Sequence, residues 1–360
     1  MIPHVQADLG VCWTLRRRDG EWLRDAHILG AVRRSSAIRA TAWAVVAAGI
    51  AAPLVRKRIR APRVALQAAA FAAPVGLSVA MRRSRTRDVA VCGLQMWAYL
   101  AAYKTPHDDP RAQQRRTHFD YPIVVDRVLG LGELPTVRLQ RALARVGADG
   151  AEWRALDRVL VWAHWVWFAV PHGTVAYLLL RHADRFPRGA ALTYAVFDTG
   201  AVFYWLVPTA PPWYAEADES EREGGVPLTH GAVGEHAVRR MMAEYGEHFW
   251  RDNWGPLYSV LGGNPLAAMP SLHFATSLMA ALLLAEVGAL PGALGFAYLT
   301  TLGFALVYLG EHYAIDLVAG GALTVAVRRL APRAAPLVQS VTRALGSLEA
   351  IAHEGARAAA

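Results

Sequence analysis

Apolar runs of membrane length, punctuated by arginines, constrain this chain more than any other feature. A bilayer core about 30 Å thick is crossed by roughly 20 apolar residues of helix. Within it every backbone N–H and C=O must be satisfied inside the segment, which selects the helix. Such runs occupy 37–55, 64–81, 156–180, 189–207, 270–290, 292–309 and 312–327. An eighth, 89–103, is short for a full span; it either starts inside the preceding arginine cluster (Arg82, Arg83, Arg85, Arg87) or packs as a tilted partial helix. Hydrophobic residues reach 54% and mean hydropathy is +0.21, which excludes a pair of ordinary soluble domains. The expected class is all-α: a polytopic integral membrane protein built as a helical bundle.

Five regions follow. Residues 1–36 read as an arginine-rich cytoplasmic arm, 37–103 as N-terminal transmembrane helices and 104–156 as an interfacial amphipathic segment. Residues 157–330 form a transmembrane core with an external loop at 209–269, and 331–360 form a cytoplasmic tail, frayed or lying on the surface. Residues 1–18 lack a continuous apolar stretch, so membrane insertion is assigned to the internal spans. The net charge of +9 sits on arginines flanking apolar runs; it marks topology and anionic headgroups, and no nucleic-acid partner is expected. The two cysteines, Cys12 and Cys92, support neither a disulfide framework nor a zinc site. Tryptophans such as Trp162, Trp165 and Trp167 are expected as anchors at the lipid interface.

Eight spans put both termini on one side. Arg328, Arg329 and Arg333 after the last run make that side cytoplasmic, and the 209–269 loop, with nine acidic residues against four arginines, lies outside. One stretch runs against this count: the basic residues of 56–63 also fall outside. The count places His273 and the pair His312/Asp316 at the mouths of two spans entered from the same outer surface of the cell membrane.

That placement has a chemical meaning. His312 and Asp316 are four residues apart and share a helix face. A carboxylate there can accept the ring Nδ1–H, fix the tautomer and leave Nε2 as a nucleophile. His273 suits general acid–base work. Ser271 stands where a helix opens after Pro270, and free N–H groups and the helix dipole at such a start favour phosphate. The alternative for His312 and Asp316 is a structural ion pair, since an ionisable residue at a span boundary persists only when paired.

Met269-Pro270-Ser271-Leu272-His273 followed by His312-Tyr313-Ala314-Ile315-Asp316 resembles the second and third signature motifs of the type 2 phosphatidic acid phosphatase superfamily. Pro208-Thr209-Ala210-Pro211-Pro212-Trp213 is similar to its inositol phosphorylceramide synthase (aureobasidin-resistance) branch. The resemblance implies a six-helix core with extra N-terminal helices and a phosphohistidine on His312. It assigns Asp316 as the orienter of that ring and His273 as acid and base, with no metal or other cofactor. The family's first motif, Lys, six residues, then Arg-Pro, finds its spacing in Lys104 and Arg111, with Ala112 in place of the proline. A Ser-Arg pair of the phosphatase branch is replaced by Ala305 and Leu306, so Tyr308 or another arginine must serve the phosphate; Arg239, Arg240 and Arg251 lie in the preceding loop. The implied activity is lipid phosphotransfer, from a phospholipid or polyprenyl-phosphate to a lipid alcohol. Hydrolysis of a lipid phosphate is the alternative, and a non-enzymatic or proton-coupled lipid transporter the reading from another class. Oligomeric state is not addressed by the sequence.

Overall fold

A computed structural model describes residues 19–147, 150–215, 238–261 and 263–358. Residues 1–18 of the arm, with Cys12, lie outside it, as do residues 216–237 of the acidic loop, with Glu216, Asp218, Glu219, Glu221, Glu223 and Glu235. Helices α1 (Asp19–Val55), α2 (Arg63–Ala80) and α3 (Arg85–Lys104) fold back on one another. The eighth run starts inside the arginine cluster. Ser84 caps α3 by accepting the Arg87 N–H, and the helix reaches 20 residues, about 30 Å at 1.5 Å per residue.

At its far end α3 meets the basic hairpin 56–63. Arg56 pairs with Asp108 through Nε (2.8 Å) and Nη2 (3.0 Å), and Lys57 stands 3.7 Å from the same carboxylate. Gln67 donates to Thr105. The stretch that opposes the charge rule is thus held at the end of the bundle where α3 terminates.

The 104–156 segment holds a 3₁₀ turn (Thr105–Asp108), three short helices and a two-stranded ribbon. The helices are α4 (Pro110–Gln114), α5 (Asp120–Leu129) and α6 (Pro135–Leu143). The ribbon pairs β1 (Arg145–Gly147) with β2 (Gly150–Glu152), antiparallel, a local addition to a chain whose described residues are otherwise helices and their connections. Gly147 opposite Gly150 is a hairpin spacing, too short to register as apolar periodicity.

The run 156–180 is not one helix. It divides into α7 (Ala155–Trp165) and α8 (Ala169–Arg181), with a turn at 166–168. The cause is Pro171: it has no N–H to give the Trp167 carbonyl, which is taken instead by Val170 three residues on, at 3.1 Å. The remaining helices are α9 (Phe186–Leu206), α10 (Pro212–Ala215), α11 (Met241–Trp250), α12 (Trp254–Leu261), α13 (Leu272–Val287), α14 (Ala289–Tyr308) and α15 (Ala314–Ala358).

Among the described residues, three helices are long and apolar enough to cross a membrane: Val32–Val55, Arg63–Ala80 and Ala289–Tyr308. They mark a membrane protein. Helices α8, α9 and α13 share one core around Phe197, Val196, Leu178 and Met279. A second core joins α7, α11 and the end of α14 around Tyr308, Met241, Leu160 and Trp254.

The tail is a helix that is largely exposed on the surface and is joined to α1 near its far end. Helix α15 continues without interruption through Pro332 and Pro336 and packs back along α1. Ser35 Oγ donates to Ala352 O at 2.6 Å, and Glu349 accepts from Arg87 at 2.9 Å. Ala352 is fully buried against Ala42, Val79 and Ala80. A run of small residues at this contact lets helices approach closely, a pattern that a search for strongly apolar runs does not detect. Ala352→Phe is expected to destabilise the fold by about 1–3 kcal/mol through overpacking. A thermal-unfolding scan of the detergent-purified protein checks this; an unchanged midpoint would show the contact to be absent.

Candidate active site

The site is built on the start of α15. Gly310, in the left-handed region at φ 82°, turns the chain out of α14, and the N–H groups of Glu311 and His312 both return to the Leu306 carbonyl. The first turn of α15 then needs acceptors for its backbone donors. Asp316 accepts the Tyr313 N–H at 3.0 Å. Asp126, from α5, accepts the N–H groups of Ala314 (2.8 Å) and Ile315 (2.9 Å). Burial pushes the Asp126 carboxyl above its ordinary range, and these two N–H donors pull it part of the way back. Sequence reasoning missed Asp126 because it stands alone in a short helix, with no motif around it.

Asp316 is completely buried and His312 nearly so. The Asp316 Oδ2 that serves Tyr313 also lies 3.2 Å from His312 Nδ1. On its other side, His312 Nε2 lies 3.1 Å from Nδ1 of His273. With Nδ1–H of His312 given to the carboxylate, Nε2 is the acceptor and His273 Nδ1–H the donor.

Several contacts bring His273 there. Ser271 caps α13, its Oγ accepting the Phe274 N–H, and its own N–H donates to the Asp316 carbonyl at 3.0 Å. Tyr204 of α9 donates to the Pro270 carbonyl at 2.9 Å. Gly320 lets α15 pass the start of α13 at close range: a Cβ there would meet the Ser271 carbonyl oxygen at 2.5 Å. Trp167, at the α7–α8 break, donates to Thr276 and sets its ring 4.1 Å from that of His273. His164 stacks beside it, with centroids 4.9 Å apart and planes 28° apart.

His164, His273 and His312 line one cavity of about 600 Å³, together with Arg240, Glu311 and Lys104. Much of the remaining wall is aromatic, including Trp162, Trp165, Trp213, Trp250 and Trp254. Trp162 and Trp165, expected as lipid anchors, therefore also face the cavity, because the α7–α8 break redirects this segment. Arg240 is almost entirely buried; its Nε lies 3.3 Å from Glu311 and its guanidinium sits 3.6 Å above the Trp213 ring. The proline-rich stretch carries that tryptophan. Backbone bonds tie it on both sides, from His118 N to Pro208 O, from Ala210 N to His118 O and from Thr209 N to Leu266 O.

The other residues singled out from sequence divide sharply. Lys104 lines the cavity. Ser271 is buried, with its hydroxyl engaged in the cap. Arg111 and Arg251 stand exposed and are not among the lining residues. Arg239 is drawn away to Glu244. Tyr308 points to Asp157, donating at 2.6 Å, and does not line the cavity. His164 went unnoticed because a single histidine in an apolar run carries no spacing signal.

The ordered row of carboxylate, imidazole and imidazole can raise the nucleophilicity of one nitrogen and move a proton at the next. Gly320→Ala should push α15 from Ser271 and separate the two rings. Turnover is expected to fall roughly 10–100-fold, since small misplacements of reacting groups have effects of that size. Steady-state kinetics beside a thermal scan provide the check, and wild-type turnover in the variant would contradict the geometry.

A family model described as the PAP2 superfamily matches residues 148–330, the stretch that carries His164, Arg240, His273, His312 and Asp316. No curated protein and no solved structure gives a significant match.

Proposed function

Because the chain belongs to the PAP2 superfamily, a group of phosphatases and phosphotransferases acting on lipid-type substrates, we propose that it is a membrane-embedded lipid phosphotransferase working through a phosphohistidine on His312. The observation that carries this reading is the line Asp316–His312–His273, closed by contacts of 3.2 and 3.1 Å on the wall of the aromatic cavity.

In the first step His312 Nε2 attacks phosphorus, and the bond from phosphorus to the leaving oxygen breaks. His273, carrying a proton on each ring nitrogen for this step, gives one to that oxygen and becomes neutral. Asp316 holds the Nδ1–H of His312 and offsets the positive charge that grows on the ring. In the second step His273 takes the proton of the incoming hydroxyl, the hydroxyl oxygen bonds to phosphorus, and the bond to His312 breaks. Arg240 and Lys104 are the cations on the cavity wall, and they would serve the phosphate in place of the family arginine that Ala305 and Leu306 do not supply.

Two features favour transfer over hydrolysis. The cavity wall is largely aromatic, which suits a lipid alcohol better than ordered water. The proline-rich stretch, with its likeness to the inositol phosphorylceramide synthase branch, is tied beside the cavity and supplies Trp213 to it. The donor is then a phospholipid or polyprenyl-phosphate and the acceptor a lipid alcohol. The bundle crosses the cell membrane several times, with a six-helix core behind the N-terminal helices and the site on the external face.

His312→Ala is expected to abolish turnover in protein that still inserts and purifies; full activity would end the proposal. Asp316→Asn should slow the reaction on the order of 10³-fold or more, as when a histidine loses its orienting carboxylate. Activity should persist in excess chelator, and a strict divalent-ion requirement would contradict the phosphohistidine route. With purified enzyme and a headgroup-labelled phospholipid, label is expected in a new lipid. Release of inorganic phosphate alone would assign a phosphatase instead.

A further inference from the structure

Three histidines face the cavity, and two have partners within the row already described. His312 lies between Asp316 and His273, and His273 reaches His312. His164 is different. Both its ring nitrogens are shut off from solvent, and among the described residues neither has a hydrogen-bond partner. The ring stacks on His273 at the last turn of α7, just before the break forced by Pro171, and it lines the cavity.

A buried imidazole N–H without an acceptor destabilises the fold. A ring kept only for its shape could be phenylalanine at no such cost. The cavity also needs donors. Of its two lining cations, Arg240 already faces Glu311, while a bound phosphoryl group brings several acceptor oxygens. His164 stacks on His273 and lines the same cavity as His312, Glu311 and Arg240, so it borders the place where those oxygens would sit.

We propose that His164 contacts the substrate in this site, its ring turning about the side-chain bonds so that one N–H reaches a phosphoryl oxygen while phosphorus is bonded to, or approaching, His312. The inference rests on the phosphotransfer reading and adds a residue to it. His164 forms no covalent bond and changes no proton count; it supplies a hydrogen bond that strengthens as negative charge accumulates on the oxygen.

The test uses the full chain in detergent with orthovanadate, which mimics a phosphoryl group in transfer, and reads binding by calorimetry. Wild type should bind saturably. His164→Phe keeps an aromatic ring against His273 and removes both nitrogens; it should weaken binding at least tenfold with little change in thermal midpoint. His164→Gln and His164→Asn place an amide N–H near the former Nε2 and Nδ1, and at least one should stay within about threefold of wild type. Undiminished binding by His164→Phe overturns the inference. So does equal loss in all three variants, because the loss would then follow ring packing and not the N–H. If wild type itself binds no vanadate, the phosphoryl site falls and His164 with it; wild-type binding with an intact His164→Phe sinks His164 alone.

Discussion

A single carboxylate oxygen, Oδ2 of Asp316, receives both the backbone of its own helix and the ring of His312, in a place with no access to solvent. Oδ1 of the same carboxylate has no hydrogen-bond partner among the described residues, so both contacts fall on Oδ2, and removing a partner from a buried carboxylate typically destabilises by several kcal/mol. Much of the surrounding structure keeps that oxygen available. Asp126 takes the next two N–H groups of α15, so they place no demand on Asp316. The Asp316 carbonyl takes the Ser271 N–H, which joins the start of α13 to the start of α15 through backbone atoms. Side-chain geometry at the two histidines is therefore inherited from a junction between main chains, the least adjustable kind of contact.

What the amino-acid sequence discloses depends on distance along the chain. His312 and Asp316 are four apart, and the helical period alone sets them on one face. His273 follows from counting apolar runs, a count that expects its run and theirs to open on the same side. Asp126, 188 residues from Ala314, and His164 are brought in by tertiary packing, and no local pattern announces them. Among the arginines, sequence could nominate a loop but not a direction. Arg239 and Arg240 are neighbours, yet one turns to Glu244 and the other into the cavity over Trp213. The fold shows the same limit. Strong apolar runs became helices, while the ribbon at β1–β2, the break before Pro171 and the docking of the tail arise from single glycines, one proline and small residues. Apolar averaging smooths all of these away.

The tryptophans illustrate how one residue type meets two demands. An indole is apolar enough to sit in a span and offers one N–H for anchoring. Trp167 uses that N–H on Thr276 and its face on His273. Trp213 uses its face on Arg240. A wall made this way excludes water from charged groups without adding competing hydrogen-bond acceptors, which raises the strength of each electrostatic contact inside it.

The 3.1 Å contact between His312 and His273 carries a kinetic meaning as well. A lone pair that already accepts a hydrogen bond is not available to phosphorus. On the phosphohistidine reading, His312 would attack phosphorus only once the His273 N–H has turned from it to an oxygen of the ligand. The hydrogen bond that aligns the two rings would then also tie the reactivity of one to the arrival of charge beside the other.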